Sequence, residues 1–305
     1  MSIFALMGAI QTGLIYSLVA IGVFISFRVL DFPDLTVDGS FPLGAAVTAA
    51  LLVVGVNPFI AMIAAVISGF IAGILTAWLN LKLNILNLLA SILTMIALYS
   101  INIRIMSGPN ISLLNRKTIF TPLDDGISLG SYSIPSYILL PIGLSFMILI
   151  LCFIIIRFLN SEIGLAMRAT GKNTRMSRAN GINTILMIGL GMGISNALVA
   201  LAGSLFAQSE GFSDVTTGVG TIVIGLAAVI AGETLFPTRS ILWSILACIF
   251  GSIIYRFMIA LALEADFIGL QASDLNLVTA VLVGFALVLP VMRQKFKKTK
   301  RGVRK

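Results

Sequence analysis

The chain has no histidine, two cysteines and only 12 acidic residues among its 305. Each shortage removes a class of chemistry. Without histidine, imidazole acid–base catalysis is gone, and so is the commonest metal ligand. Cys152 and Cys248 fall inside long apolar runs, so neither reads as half of a disulfide or as a metal ligand. No GxxxxGK[ST] string occurs, which excludes ATP hydrolysis by P-loop chemistry in this chain. Charge is scarce too. Asp, Glu, Lys and Arg make up 10% of residues, against about 25% in an average soluble domain.

Apolar length is what remains. The chain is 58% hydrophobic, with a mean hydropathy of +1.08. A transmembrane helix needs about 20 apolar residues. Runs of that kind lie near 3–27, 36–54, 58–80, 84–106, 136–158, 184–206, 216–232, 240–262 and 274–292, the second and seventh being the weakest. They are apolar throughout, without the alternation of a β-barrel strand. The expected fold is therefore all-α: a polytopic transmembrane bundle of about nine spans (eight to ten) with a cytoplasmic coupling helix. One membrane domain covers 1–292, and a basic cytoplasmic tail covers 293–305. The first run lacks a basic leader and outlasts a signal h-region, so it reads as the first span.

Basic residues orient the bundle. If 160–184 is cytoplasmic, alternation puts Arg28, Lys82, Arg157, Arg239 and the tail from Arg293 on that side. Asp124, Asp125, Glu210, Asp214, Glu264, Asp266 and Asp274 fall outside, and only Arg104, Arg116, Lys117 and Arg256 go against the trend. The N-terminus is then outside and the C-terminus inside. The tail clusters next to the membrane, which favours contact with anionic lipid headgroups over nucleic acid.

The most informative segment is 160–184, NSEIGLAMRATGKNTRMSRANGINT, a short basic stretch between two spans. A plain turn needs fewer residues, so this one reads as a surface for a partner. A second segment, 28–45, carries Asp31, Asp34, Asp38, Pro33 and Pro42 where one span hands over to the next. Carboxylates near the membrane mark pathways or pairing sites, and proline breaks the helical ladder. The competing reading is a cytoplasmic turn with Thr36, Asp38 or Ser40 as helix caps. Ser213, Asp214, Thr216 and Thr217 open a third, glycine-rich segment that is barely long enough to span and could be two shorter helices; it ends at Glu233. In the sixth span, Asn196 stands among Gly189, Gly191, Gly193 and Ser195, and a buried amide there needs a partner. The polar stretch 107–133 reads as an external loop with a short helix or hairpin.

These residues carry a resemblance. The segment 160–184 resembles the cytoplasmic coupling segment of type II ABC-importer permeases, the superfamily of branched-chain amino acid and ribose permeases. Glu162, Gly164, Arg168, Ala169, Gly171, Asn173, Gly181 and Ile182 carry it, while Lys172 stands where many members have Glu. The string FPDLTVDGSFPLGAAV, from Phe32 to Val47, resembles a single-permease subfamily linked to tryptophan and other aromatic amino acids. The resemblance implies a homodimer, separate ABC ATPase subunits that bind ATP and Mg, an extracytoplasmic substrate-binding protein and a bacterial inner membrane. This chain itself would need no cofactor or metal and would not be an enzyme. Asp34, Thr36, Asp38, Ser40 and Asn196 are the expected pathway or gate residues. The alternative is an ion-gradient-driven secondary transporter, which would favour inverted repeats and a midplane ion site; no convincing repeat is found.

Overall fold

In a computed structural model, residues 3–124, 127–129, 132–236, 240–263, 281 and 284 are described. Helix α1 runs over Ile3–Val23 and continues as one π-helical stretch, Phe24–Val29. It stops just short of Pro33, whose ring denies the ladder an N–H. Asp31 takes the left-handed φ of 54° that turns the chain. Helix α2 (Val37–Val53) follows, then α3 (Pro58–Leu83) and α4 (Asn87–Met106). Asn57 caps α3 by accepting from the Phe59 N–H at 2.9 Å, and Pro58 occupies a first-turn position where its missing N–H is harmless.

Beyond α4 come strand β1 (Asn110–Ser112), the one-turn α5 (Thr121–Asp124) and the hairpin β2 (Ile127–Leu129) and β3 (Tyr132–Ile134). The polar stretch 107–133 thus holds both a short helix and a hairpin. Helix α6 (Ser136–Leu159) leads to α7 (Glu162–Lys172) and α8 (Thr174–Ala179), which interrupt the long apolar helices. Then come α9 (Thr184–Glu210), β4 (Phe212–Asp214), a 3-10 turn (Val215–Gly218), α10 (Thr221–Leu235) and α11 (Ile241–Leu263). Strand β4 pairs antiparallel with β1, tying the end of α9 to the segment after α4.

The second half of α1 is buried at every position, and α2 and α9 are mostly buried. These three form the inside of the bundle, with α9 packed on α1, α2 and α3. Close approach depends on missing side chains. A Cβ on Gly44 would strike the Ala200 backbone, and one on Gly203 the Phe41 carbonyl. Small residues are how transmembrane backbones come into contact. Outward faces are apolar: Ile60, Ile63, Ile67 and Ile71 on α3, and Ile142, Phe146, Leu149 and Phe153 on α6, are exposed. In lipid such faces need no protein cover.

Nine spans were expected. Among the described residues seven helices are long and apolar enough to cross a membrane. The second run forms α2, a 17-residue apolar helix shorter than those seven. The seventh run forms a 3-10 turn followed by α10, which together are one of the seven. The ninth run apart from residues 281 and 284, the basic tail, Arg239 and Asp125, Glu264, Asp266 and Asp274 lie outside the described residues. The helical, polytopic architecture holds.

Candidate functional site

The break between α1 and α2 is not a solvated turn. Asp34, Thr36 and Ser40 are each 0% exposed. Asn196, near the middle of α9, donates its side-chain amide to Asp34 Oδ2 at 2.7 Å and to the Met192 carbonyl at 3.1 Å. Its carbonyl oxygen accepts from Ser40 Oγ at 2.7 Å. Asp34 Oδ1 accepts the Thr36 N–H at 2.9 Å, and Thr36 Oγ1 meets Thr76 Oγ1 of α3 at 2.8 Å. One buried polar seam therefore joins the break, α2, α3 and α9. Irregular backbone at such depth is tolerated where protein surrounds it. The seam fastens the start of α2 through groups that would be expensive to orphan.

Asp38 does a different job. Its two carboxylate oxygens accept the backbone N–H groups of Ile222 at 2.7 Å and Gly220 at 3.2 Å. It thus caps the start of α10 from another helix, where a negative charge also meets the positive end of the helix dipole. Gly218 makes room, since a Cβ there would run into the Asp38 carbonyl. Beside it lies a cavity of about 300 Å³ lined by Asp38, Pro42, Met95, Tyr99, Asn102 and Val219, among others. Asn102 donates to the Gly39 carbonyl at 3.2 Å, while its Oδ1 is buried without a partner among the described residues.

The segment 160–184 folds as two short capped helices. Ser161 caps α7 through the Gly164 N–H at 3.4 Å, Asn173 caps α8 through Met176 N–H at 3.0 Å, and Asn183 caps α9 through Leu186 N–H at 3.2 Å. Helix α7 has one buried edge, Gly164, Met167 and Thr170. A Cβ on Gly171 would strike the Val29 carbonyl and press on Leu30, and one on Gly164 would strike the carbonyl of Phe158. Leu30 in turn packs over Gly191 of α9, with Met167 beside it. The other side of the segment is exposed and apolar as well as basic. Ile163 is 48%, Leu165 52% and Met176 64% exposed. Nearby, Arg28 at the end of the π stretch pairs with Glu233 of α10.

The structure therefore brings Asp34, Thr36, Ser40 and Asn196 together and sets Asp38 apart, on α10. Glu162, Ala169, Asn173 and Gly181 are surface residues of the segment 160–184. Arg168 and Ile182 are half-buried. Gly164 and Gly171 are close-packing positions against the chain's own backbone. Sequence reasoning missed Thr76, Asn102, the Arg28–Glu233 pair and the exposed Ile163, Leu165 and Met176. A signal existed for the last three, as large apolar residues inside an otherwise polar stretch. Among the described residues no group of three or more metal-ligating side chains occurs.

Comparison with known proteins agrees with this architecture. Residues 5–292 match the family model described as branched-chain amino acid transport system / permease component. The tyrosine transport system permease protein of Clostridioides difficile (strain R20291) is 39% identical over 287 residues, covering 94% of this chain and 91% of the relative. The galactofuranose transporter permease protein YtfT of Escherichia coli (strain K12) is 26% identical, covering 89% and 74%. Among solved structures, PsaBC from Streptococcus pneumoniae in complex with Fab aligns with a TM-score of 0.51 at 17% identity, covering 93% of this chain and 91% of that one; it supports the fold. A capped surface segment seated against the break of a polytopic helical bundle thus comes with a match over nearly the whole length, and the chain belongs to the branched-chain amino acid transport system permease family.

Proposed function

We propose that this chain is the membrane subunit of an ATP-binding-cassette importer and forms the translocation pathway for an amino acid, with tyrosine or another aromatic as its substrate. In this reading two copies form a homodimer in a bacterial inner membrane, N-termini outside and C-termini cytoplasmic. Two separate ATPase subunits, which bind ATP and Mg, dock on α7 and α8, and an extracytoplasmic protein delivers the substrate. This chain's part is to hold and move its own helices; no bond of the substrate is changed.

One observation carries the reading. The exposed side of 160–184 offers Ile163, Leu165 and Met176 among basic residues, while its buried edge touches Val29 and Leu30, immediately before the Asp34 seam. A push on α7 would reach α1, α2 and α9 as rigid elements, and rigid-body rocking is how such bundles alternate access. Asp34, Thr36, Ser40 and Asn196 hold the start of α2, and Asp38 links that start to α10, so all five act in the gate. The aromatic substrate rests on likeness to a tyrosine transport permease.

The test is gentle detergent purification from native membranes with mass spectrometry of what co-purifies. A stoichiometric P-loop ATPase, lost when Leu165 and Met176 are both changed to Glu, supports the reading. A chain that emerges alone and drives uptake from an ion gradient overturns it in favour of a secondary transporter.

A further inference from the structure

At the end of the bundle opposite α7 and α8 lies a cavity of about 480 Å³ between α1, α6, α9 and α11. Its wall carries Arg256, whose presence in an apolar helix the transport reading leaves unexplained. The guanidinium lies 3.8 Å from the centre of the Tyr16 ring, a cation–π seat that fixes it in place. Its Nε is buried and has no acceptor among the described residues. Glu210, exposed at the end of α9, lines the same cavity, and the two charges act on each other. Yet they form no direct ion pair, unlike Arg28 and Glu233. Gln11, held by Ser209, adds a neutral polar group. Phe4 and Tyr137 meet edge to face across the mouth with ring centres 6.2 Å apart.

Two opposite charges line one cavity without pairing, and the guanidinium Nε lacks an acceptor among the described residues, an arrangement suited to a ligand that carries both charges itself. We propose that this cavity binds a zwitterion, its carboxylate or phosphate on Arg256 and its ammonium on Glu210, with its apolar part against Phe4 and Tyr137. A free amino acid and the ethanolamine headgroup of a phospholipid share this chemistry. An ammonium or anion alone would leave one charge unmatched in a partly apolar site. The proposal concerns a site apart from that seam and stands whether or not the aromatic substrate is correct.

The test uses the purified full chain in detergent and two probes, tritiated L-tyrosine by scintillation proximity and phosphatidylethanolamine by native mass spectrometry. At least one binds, and Arg256→Gln and Glu210→Gln each weaken it by roughly tenfold, as expected for loss of a charge-assisted contact. Tyrosine binding without lipid retention identifies a free amino acid; the reverse identifies the headgroup. Should the variants fold poorly, the unmodified protein still decides. N-acetyl-L-tyrosine, without the ammonium, and tyramine, without the carboxylate, then compete about tenfold less well than L-tyrosine, and phosphatidylglycerol does not replace phosphatidylethanolamine. Failure of both probes to bind overturns the proposal. So does binding that survives both substitutions, or tyrosine binding lost in Asp38→Asn but kept in Arg256→Gln and Glu210→Gln.

Discussion

The two informative regions of this molecule use polar residues in opposite ways. In the seam around Asn196, almost every polar atom faces another: Asp34, Ser40, Thr36 and Thr76 are buried and matched within 2.9 Å. In 160–184, polar side chains cap helices, and the large apolar Ile163, Leu165 and Met176 face outward. The seam holds its elements together, whereas the segment leaves an apolar and basic face exposed. They meet where Gly171 abuts Val29 and Leu30. The comparison teaches that position along the chain says little about role. Asp34 and Asp38 are four residues apart, yet one fastens α2 to α9 and the other caps α10.

The comparison can be broken most severely from the seam. Asn196→Leu leaves Asp34 Oδ2 and Ser40 Oγ without their partner, and each orphaned buried group costs roughly 1–3 kcal/mol. Thermal unfolding of the detergent-solubilised chain should fall clearly. In the double variant Ser40→Ala/Asn196→Leu the loss should be smaller than the sum of the two, by about 1 kcal/mol, as for any contacting pair. Strict additivity would show that the two side chains do not interact.

A smaller effect is expected at the cap. Asp38→Ala removes the acceptor for Ile222 and Gly220 and should cost about 1 kcal/mol, the usual worth of a helix cap. Uptake should drop more than stability does, whereas Asp38→Asn, which keeps one acceptor oxygen, should retain most of both. Equal loss in Asn and Ala variants would point to the charge rather than the cap. The least effect on stability belongs to Leu165→Ser with Met176→Ser, within about 0.5 kcal/mol as for other surface changes. The same pair should nonetheless weaken retention of the ATPase on an affinity column. Retention at the wild-type level would remove the apolar face of 160–184 from the interface.

Much of this was legible in the sequence, for identifiable reasons. The bundle shows itself because lipid-facing and buried helices are both apolar, and the segment 160–184 because it is polar by contrast. Asp34, Thr36, Ser40 and Asn196 stood out as polar residues in apolar surroundings. That Asn196 answers both Asp34 and Ser40 was not legible, because the partners lie 162 and 156 residues away. The cap on α10 was hidden for the same reason, its acceptor lying 184 residues before the Ile222 N–H. Caps are sought next to the helix they close, and this one comes from another helix. That α2 is only 17 residues long was not legible either, because the apolar run does not show where its helix starts.

The central claim is that movement of α7 passes to the seam through the contact at Gly171. Its most direct test measures uptake and ATP hydrolysis side by side in proteoliposomes holding the complete transporter, wild type against Gly171→Leu. The account predicts that the ATPase stays bound and hydrolyses ATP while uptake per ATP falls at least about tenfold, since the added side chain overpacks the contact with Val29. Wild-type uptake per ATP in that variant would contradict it.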